Sequence, residues 1–233
     1  MKNLTAAIEG FAHIFFPHLC IGCGTDLLDG NQMICFHCSH KLPTTNFEIY
    51  PDNPVERIFW GRATILSAMS QYYFTKDSVL QQILHQLKYK GKKEIGSYFG
   101  RILGESIFQS GRFNDMDSIV PLPLFASREK KRGYNQAAVL AEGISSVLHL
   151  PVLKTCIERT TATETQTQKN RVERWQNISG RFRLKNKEEI DGKHILLVDD
   201  VITTGATLDA CVNEILRGAN VRVSIATLAY AQS

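Results

Sequence analysis

Two carboxylates, Asp199 and Asp200, stand side by side between an apolar run at 195–198 and a run of small residues, Thr203-Thr204-Gly205-Ala206-Thr207. These residue types restrict the chemistry. A loop without bulky side chains lets backbone N–H groups and three hydroxyls close around a phosphate. Adjacent carboxylates would repel a bare phosphate, so they suit the neutral hydroxyls of a sugar or a bound Mg2+. Together they predict a site for a phosphorylated sugar. The elements that must hold it lie in the same stretch. Ile195, Leu196, Leu197 and Val198 predict a parallel strand covered on both faces and ending at the two aspartates. Ligands of open α/β sheets bind at such carboxyl ends. Leu208, Cys211, Val212, Ile215 and Leu216 then form one apolar stripe at helical spacing, with Gly218 as its stop. A phosphate would sit at that helix N-terminus, where the dipole and unpaired donors favour an anion. A plain strand–turn–helix with a capping Asp and Thr pair is the alternative, but paired acids plus Thr-Thr-Gly-x-Thr make a restrictive pattern.

The six cysteines divide into four near the N-terminus and two singles. Cys20 with Cys23, and Cys35 with Cys38, are two Cys-x2-Cys pairs separated by eleven residues. At that spacing two knuckles offer four thiolates to one tetrahedral ion, and zinc is expected. Gly22 and Gly24 allow the knuckle turn, and Asp26, Asp29, Gly30 and Asn31 make the connecting loop polar and turn-rich. Four thiolates close the coordination shell, so the metal is expected to be structural. Disulfides and an iron–sulfur cluster are the competing readings, the first disfavoured where no secretory signal stands. His37 and His40 are near enough in sequence to replace a cysteine. Cys156 and Cys211 have no partner spacing and read as buried, inert thiols.

A length of 233 residues suits one well-buried domain with a small appendage. The expected division is 1–50 for an N-terminal helix and the four-cysteine segment, and 51–233 for the main domain. Hydrophobic content of 43% with 21% charged residues excludes a disordered chain. A net charge of +4 permits an anionic ligand or nucleic acid without demanding either. No apolar run approaches the ~20 residues of a membrane span, so no membrane insertion is expected. Ile8, Phe11, Ile14, Phe15 and Phe16 are interrupted by Glu9, His13 and His18 and lead to no cleavage site. They predict a short amphipathic helix packed on the protein, and a cytoplasmic location.

Between these anchors strand and helix patterns alternate. Residues 62–74 are rich in β-branched and aromatic types and predict strands. Val79, Leu80, Ile83, Leu84 and Leu87 predict a helix ending in Lys88, Lys90, Lys92 and Lys93, and Ile95, Phe99, Ile102 and Leu103 a second. A strand at 118–123 leads through a basic loop to a helix bearing Ala137, Leu140, Ile144 and Val147, and 221–228 alternates like a last strand. The succession predicts an α/β fold, a mostly parallel sheet with helices on both faces.

Residues 195–207 resemble the 5-phosphoribosyl-1-pyrophosphate (PRPP) motif of type I phosphoribosyltransferases: four apolar residues, two acids, then Thr-Thr-Gly-Ala-Thr. The resemblance implies the type I phosphoribosyltransferase fold. It also implies that Asp199 and Asp200 hold the ribose 2′ and 3′ hydroxyls while Thr203, Thr204, Gly205, Ala206 and Thr207 hold the 5′-phosphate. Two more segments, Val120-Pro-Leu-Pro-Leu124 leading to Ser127-Arg-Glu-Lys-Lys-Arg-Gly-Tyr-Asn-Gln136, and Leu87-Lys-Tyr-Lys-Gly-Lys-Lys93, join the cysteine pairs and a stretch with Arg159, Thr163, Gln166, Arg171, Arg174 and Asn177. With them the chain resembles the ComF family of competence-associated phosphoribosyltransferase-like proteins along nearly its whole length. This implies phosphoribosyl transfer from PRPP with Mg2+ and release of pyrophosphate. The alternative is a non-catalytic PRPP sensor, a single-stranded-DNA-binding protein or a scaffold for a DNA translocation helicase in natural transformation. A similarity to amidophosphoribosyltransferases covers the PRPP site alone, and a glutaminase domain is not expected.

Basic residues then acquire roles. Pyrophosphate leaving C1 develops negative charge, which Arg128, Lys130, Lys131, Arg132 and Gly133 are placed to stabilise with Mg2+. Arg132, for its fork of donors, and Gly133, for close backbone approach, are the expected pair. With Asp199 and Asp200, Arg132 completes the expected catalytic set. Residues 154–187 carry nine Lys or Arg against three Glu, and Lys169, Arg171 and Arg174 among them suit a mobile loop that closes over PRPP. Phe36, Tyr89 and Tyr134 beside basic residues are candidates for stacking on bases. No nucleobase pocket is legible, so the acceptor is not predicted.

Overall fold

The computed structural model describes residues 19–26, 28, 32–160 and 181–232. Among them are strands β1 (Ala68–Phe74), β2 (Ser118–Pro121), β3 (Ile157–Arg159), β4 (Phe182–Leu184), β5 (His194–Ile202) and β6 (Arg222–Ala231). Four form one sheet in the order β1-β6-β5-β2, and every pairing is parallel. Of its two inner strands, β5 has Ile195, Leu196, Leu197 and Val198 fully buried, as a strand covered on both faces requires. β3 and β4 make a separate antiparallel pair. The basic residues Lys169, Arg171 and Arg174, and the helix expected near 8–16, lie outside the described residues.

The helices are α1 (Phe36–His40), α2 (Pro54–Arg57), α3 (Val79–Tyr89), α4 (Lys93–Ser110), α5 (Ala126–Arg132), α6 (Gln136–Leu148) and α7 (Ala206–Gly218). α3 begins where the Ser78 hydroxyl accepts from Gln81 N, and it buries Leu80, Ile83, Leu84 and Leu87. α4 carries Gly96, Gly100 and Gly104 at four-residue spacing, which clears one face. A Cβ on Gly100 would lie 2.3 Å from the Leu140 carbonyl oxygen, and one on Gly143 would lie 2.5 Å from that of Ser97. Glycine here allows the backbones of α4 and α6 to touch.

Four local expectations change. Only 68–74 of the 62–74 stretch is a strand; the rest turns after α2, with Phe59 N donating to Glu56 O and Arg62 N to Phe59 O. β5 does not end at the acids but continues to Ile202, because Val201 and Ile202 keep pairing with Ala229 and Tyr230. The basic segment after β2 is helix α5 rather than a loop. Its Arg, Glu and Lys residues are good helix formers, and Gly133 closes it with φ +81°. Gly218 is the last residue of α7, as expected, but it lacks the left-handed conformation of a glycine cap: Ala219 follows in an extended conformation, and a Cβ on Gly218 would meet Leu184 Cδ2 of β4 at 2.6 Å.

Candidate active site and metal centre

The small-residue loop closes between β5 and α7. Gly205 caps α7 at φ +70°, and a Cβ there would stand 2.4 Å from Ile58 Cγ2. Both the conformation and the space therefore require glycine. The Gly205 carbonyl accepts Asp209 N at 2.8 Å, the first helical bond, so the amides just before Asp209 have no acceptor within the helix. They border a cradle of about 60 Å³ lined by Asp199 and residues 201–208. Behind it, Arg62 Nη1 donates to Thr204 O at 3.1 Å while its Nη2 reaches Asp209 Oδ2 at 3.5 Å. Asn213 Nδ2 in turn donates to Arg62 O at 3.1 Å.

Pairing between β2 and β5 stops at Pro121 opposite Val198. From Asp199 onward that edge of β5 faces a cavity of about 180 Å³ floored by residues 122–124. Both aspartates line it. Asp200 N donates to Asp199 Oδ1 at 2.8 Å, and Lys88 Nζ of α3 sits 2.9 Å from Asp200 Oδ2. Burial, and then the neighbouring Asp200 charge, hold the Asp199 carboxyl well above the usual carboxylate range.

Four cations face these two acids: Lys88, Arg128, Arg132 and Arg159. Arg128 and Arg132 are four residues apart and share one face of α5; Lys130 and Lys131 are exposed and do not line the cavity. Arg132 Nη1 donates to Gln136 Oε1 at 2.7 Å, and its guanidinium lies 5.6 Å from the Tyr89 ring centroid. Arg159, at the end of β3, is stacked 4.0 Å from the Phe125 centroid and 5.4 Å from that of Phe182. Its Nε has no hydrogen-bond partner among the described residues. Burial and then the Arg128 charge lower its pKa. A surplus of positive charge over a partly dry cavity attracts a polyanion.

The acids and Arg132 thus share one cavity with Thr207, and residues 203–207 share the adjoining cradle. Gly133 lines neither. A Cβ there meets nothing within 4 Å, so its positive φ, not close approach to a ligand, explains the glycine. Lys88, Arg159 and Asn135 line the cavity without having been singled out for it. Tyr134 is no stacking platform: its ring is buried and its hydroxyl donates to Leu87 O. Tyr89 and Phe36 are exposed.

The four N-terminal sulfurs converge. All Sγ atoms of Cys20, Cys23, Cys35 and Cys38 lie within 4.8 Å of one another, with Cys23 Sγ 3.7 Å from Cys35 Sγ. A tetrahedral zinc with bonds near 2.3 Å needs sulfurs about 3.8 Å apart, so this donor set fits the ion. Gly22 N and Cys35 N donate to Cys20 Sγ at 3.4 and 3.3 Å, as suits a thiolate. All six cysteines are free thiols in this structure. His40 Nδ1 is bonded to Phe36 O instead. Gly22 packs against Cys38 and Val79, and Gln86 Nε2 donates to Ile21 O at 2.5 Å, so the knuckle leans on α3. Cys156 and Cys211 are fully buried, and burial raises both thiols.

A parallel sheet carrying an acid pair, a small-residue cradle that needs Gly205 and a cationic cavity at its carboxyl ends defines a phosphoribosyltransferase-type domain. The model of the phosphoribosyl transferase domain matches residues 131–233. The chain is 33% identical to the DNA utilization protein YhgH of Escherichia coli K12 over 229 residues, covering 90% of this chain and 95% of that one. It is 30% identical to competence protein F of Haemophilus influenzae over 214 residues, 90% and 88% of the two chains. Identity to competence protein ComFC of Bacillus subtilis is 29% over 194 residues, 78% and 77%. The chain belongs to the ComF family. No described helix is long and apolar enough to cross a membrane.

Proposed function

We propose that this protein binds PRPP with Mg2+ and transfers its phosphoribosyl group in the cytoplasm, in the service of DNA uptake. The observation that carries the reading is the contiguity of three subsites, since Asp199 lines both the phosphate cradle and the cationic cavity. The amides and hydroxyls of residues 203–207 take the 5′-phosphate. Asp199 and Asp200 take the ribose hydroxyls, Lys88 releasing Asp200 as the sugar arrives. Arg128, Arg132 and Arg159 take the pyrophosphate, where bound Mg2+ supplies further positive charge. Transfer forms a bond from the acceptor nucleophile to C1 as the C1–O bond breaks, its electron pair leaving on pyrophosphate. Donors fixed in advance stabilise that developing charge without reorganising. The four cysteines hold zinc structurally, within an N-terminal unit of residues 1–50 set on a main domain of 51–233.

A second reading is a PRPP-responsive handler of single-stranded DNA that performs no transfer and works with a translocation helicase. The DNA utilization and competence names of its relatives favour it, as does the exposed Tyr89 ring beneath Arg132 at the cavity. Calorimetric titration of PRPP and Mg2+, with pyrophosphate release followed in parallel, tests both. The double substitution Asp199→Asn and Asp200→Asn should abolish binding in a folded protein. Unchanged affinity would remove the PRPP assignment, and binding without release by any acceptor would leave the second reading.

A further inference from the structure

Four consecutive residues in the last turn of α3 make contacts that lead to different parts of the molecule. Gln86 Nε2 donates to Ile21 O of the cysteine knuckle at 2.5 Å. The Leu87 carbonyl accepts the buried Tyr134 hydroxyl, just beyond Arg132 and Gly133. Lys88 Nζ sits 2.9 Å from Asp200 Oδ2, and the Tyr89 ring centroid lies 5.6 Å from the Arg132 guanidinium. At the start of the helix, a Cβ on Gly22 would stand 2.9 Å from both Val79 Cγ1 and Cys38 Sγ, so the knuckle is pressed against α3 there as well. Helical periodicity sorts these contacts. Val79 and Gln86 are about two turns apart and share the face that the knuckle covers, whereas Lys88 leaves the helix about half a turn away, on the side of the acid pair. Between the two sides Leu80, Ile83, Leu84 and Leu87 are buried in the core. A displacement at the knuckle face is therefore carried to Lys88 by one rigid turn.

We propose that the zinc knuckle, acting through Gln86, positions Lys88 and Tyr89 at the sugar and pyrophosphate subsites, so that zinc and PRPP strengthen each other's binding. The inference rests on the PRPP and zinc readings above. Gln86 touches neither ligand and is a positioning residue. Zinc bound to Cys20 and Cys23 fixes the Ile21 carbonyl between them as an acceptor, and Gln86 ties the end of α3 to it. Helix ends fray unless they are held. With zinc in place Lys88 and Tyr89 are ordered before PRPP arrives; without it that ordering falls to PRPP, which then binds more weakly. Linkage requires the converse effect, of the same factor, on zinc.

The test measures both directions on the full chain. Equilibrium competition with a zinc-selective chromophoric chelator, with and without saturating PRPP and Mg2+, gives the zinc affinity. Calorimetry of PRPP into zinc-loaded and metal-free protein gives the other. PRPP should tighten zinc about threefold to tenfold, as one hydrogen bond allows, and loss of zinc should weaken PRPP by the same factor. Gln86→Met keeps the length of the side chain and removes its donor. In the zinc-loaded form it should bind PRPP as weakly as the metal-free wild type does, and its zinc affinity should ignore PRPP. Hydrogen exchange at Lys90 N, which donates to Gln86 O, should be faster in metal-free wild type and in zinc-loaded Gln86→Met. Val79→Ala, which withdraws the methyl facing Gly22, takes the place of Gln86→Met should that variant fail to fold, and should reduce the coupling. Zinc affinity indifferent to PRPP in the wild type, unchanged exchange at Lys90, or full coupling in the variant would each overturn the inference. Full coupling in the variant is also the result expected of a chain that merely unfolds without zinc. Failure of PRPP to bind zinc-loaded wild type would overturn the PRPP reading instead, and absence of zinc the metal reading.

Discussion

Gly205 offers the sharpest test of how the backbone makes the phosphate cradle. Its φ of +70° places it in the left-handed region, which costs an alanine about 1–2 kcal/mol. The new Cβ would also stand 2.4 Å from Ile58 Cγ2, and overpacking of that kind costs about 1–3 kcal/mol. Gly205→Ala should therefore destabilise the fold by about 2–5 kcal/mol, unless the loop moves, in which case the loss appears as weakened phosphate binding. The two terms separate in a double-mutant cycle with Ile58→Ala. Removing the Ile58 methyl relieves the contact but not the backbone strain, so a favourable coupling of about 1–3 kcal/mol should remain after the single losses are subtracted. Urea unfolding gives the stabilities, and PRPP calorimetry gives the binding. Full additivity of the two substitutions, or an alanine at 205 that changes neither stability nor affinity, would refute the argument that Ile58 and Gly205 jointly shape the loop.

Arg62→Ala removes the donor that pins the Thr204 carbonyl from behind; calorimetry should find PRPP affinity about threefold to tenfold lower, matching one lost hydrogen bond, with the protein still folded. For Asp199 the folded pKa is raised, so the native state holds its proton longer than the unfolded chain does. That contribution is fully present below the unfolded carboxylate value, about pH 4, and is lost as pH rises through the folded one. Asp199→Asn should therefore be more stable than the parent at neutral and alkaline pH and nearly equal to it below about pH 4 in urea unfolding across pH; a gap that widens toward acid would contradict the burial of this carboxylate. Stripping metal from the purified protein with a chelator should lower its melting temperature and release about one equivalent of zinc, given four sulfurs within 4.8 Å. Anaerobically prepared protein with no near-stoichiometric metal would count against the knuckle.

The parts of the site that were legible in the sequence are those whose determinants are adjacent in the chain. The apolar run, the acids and Gly205 occupy one short stretch, and the succession of strand, loop and helix there follows from chain neighbours. The parts that were not legible depend on distant partners. Arg62 reaches Asp209 across 147 positions, and nothing near Arg62 marks it. Lys88 stands among other lysines at a helix end, and only its 2.9 Å approach to Asp200 separates it from Lys90 or Lys92. Arg159 closes a short strand whose pairing with β4 spans a long basic insertion. The basic helix α5 was hidden for a different reason: charge density suggests a loop, yet a helix is what puts Arg128 and Arg132 on one side and leaves Lys130 and Lys131 in solvent.

The glycines make the same distinction in both directions. Gly205 and Gly133 both have positive φ, but only Gly205 has a neighbour, Ile58, that would strike a side chain. Gly133 therefore marks a turn, while Gly205 marks a turn under the pressure of a second element. The opposite case is Gly100, an ordinary helical glycine whose absent Cβ lets α6 approach α4. Because α6 packs on β2 and β5, the depth at which it docks helps position β2 relative to the acid pair. A bulky residue at 100 would thus reach the active site through packing alone, displacing the wall that carries Asn135 and Gln136 without touching a ligand.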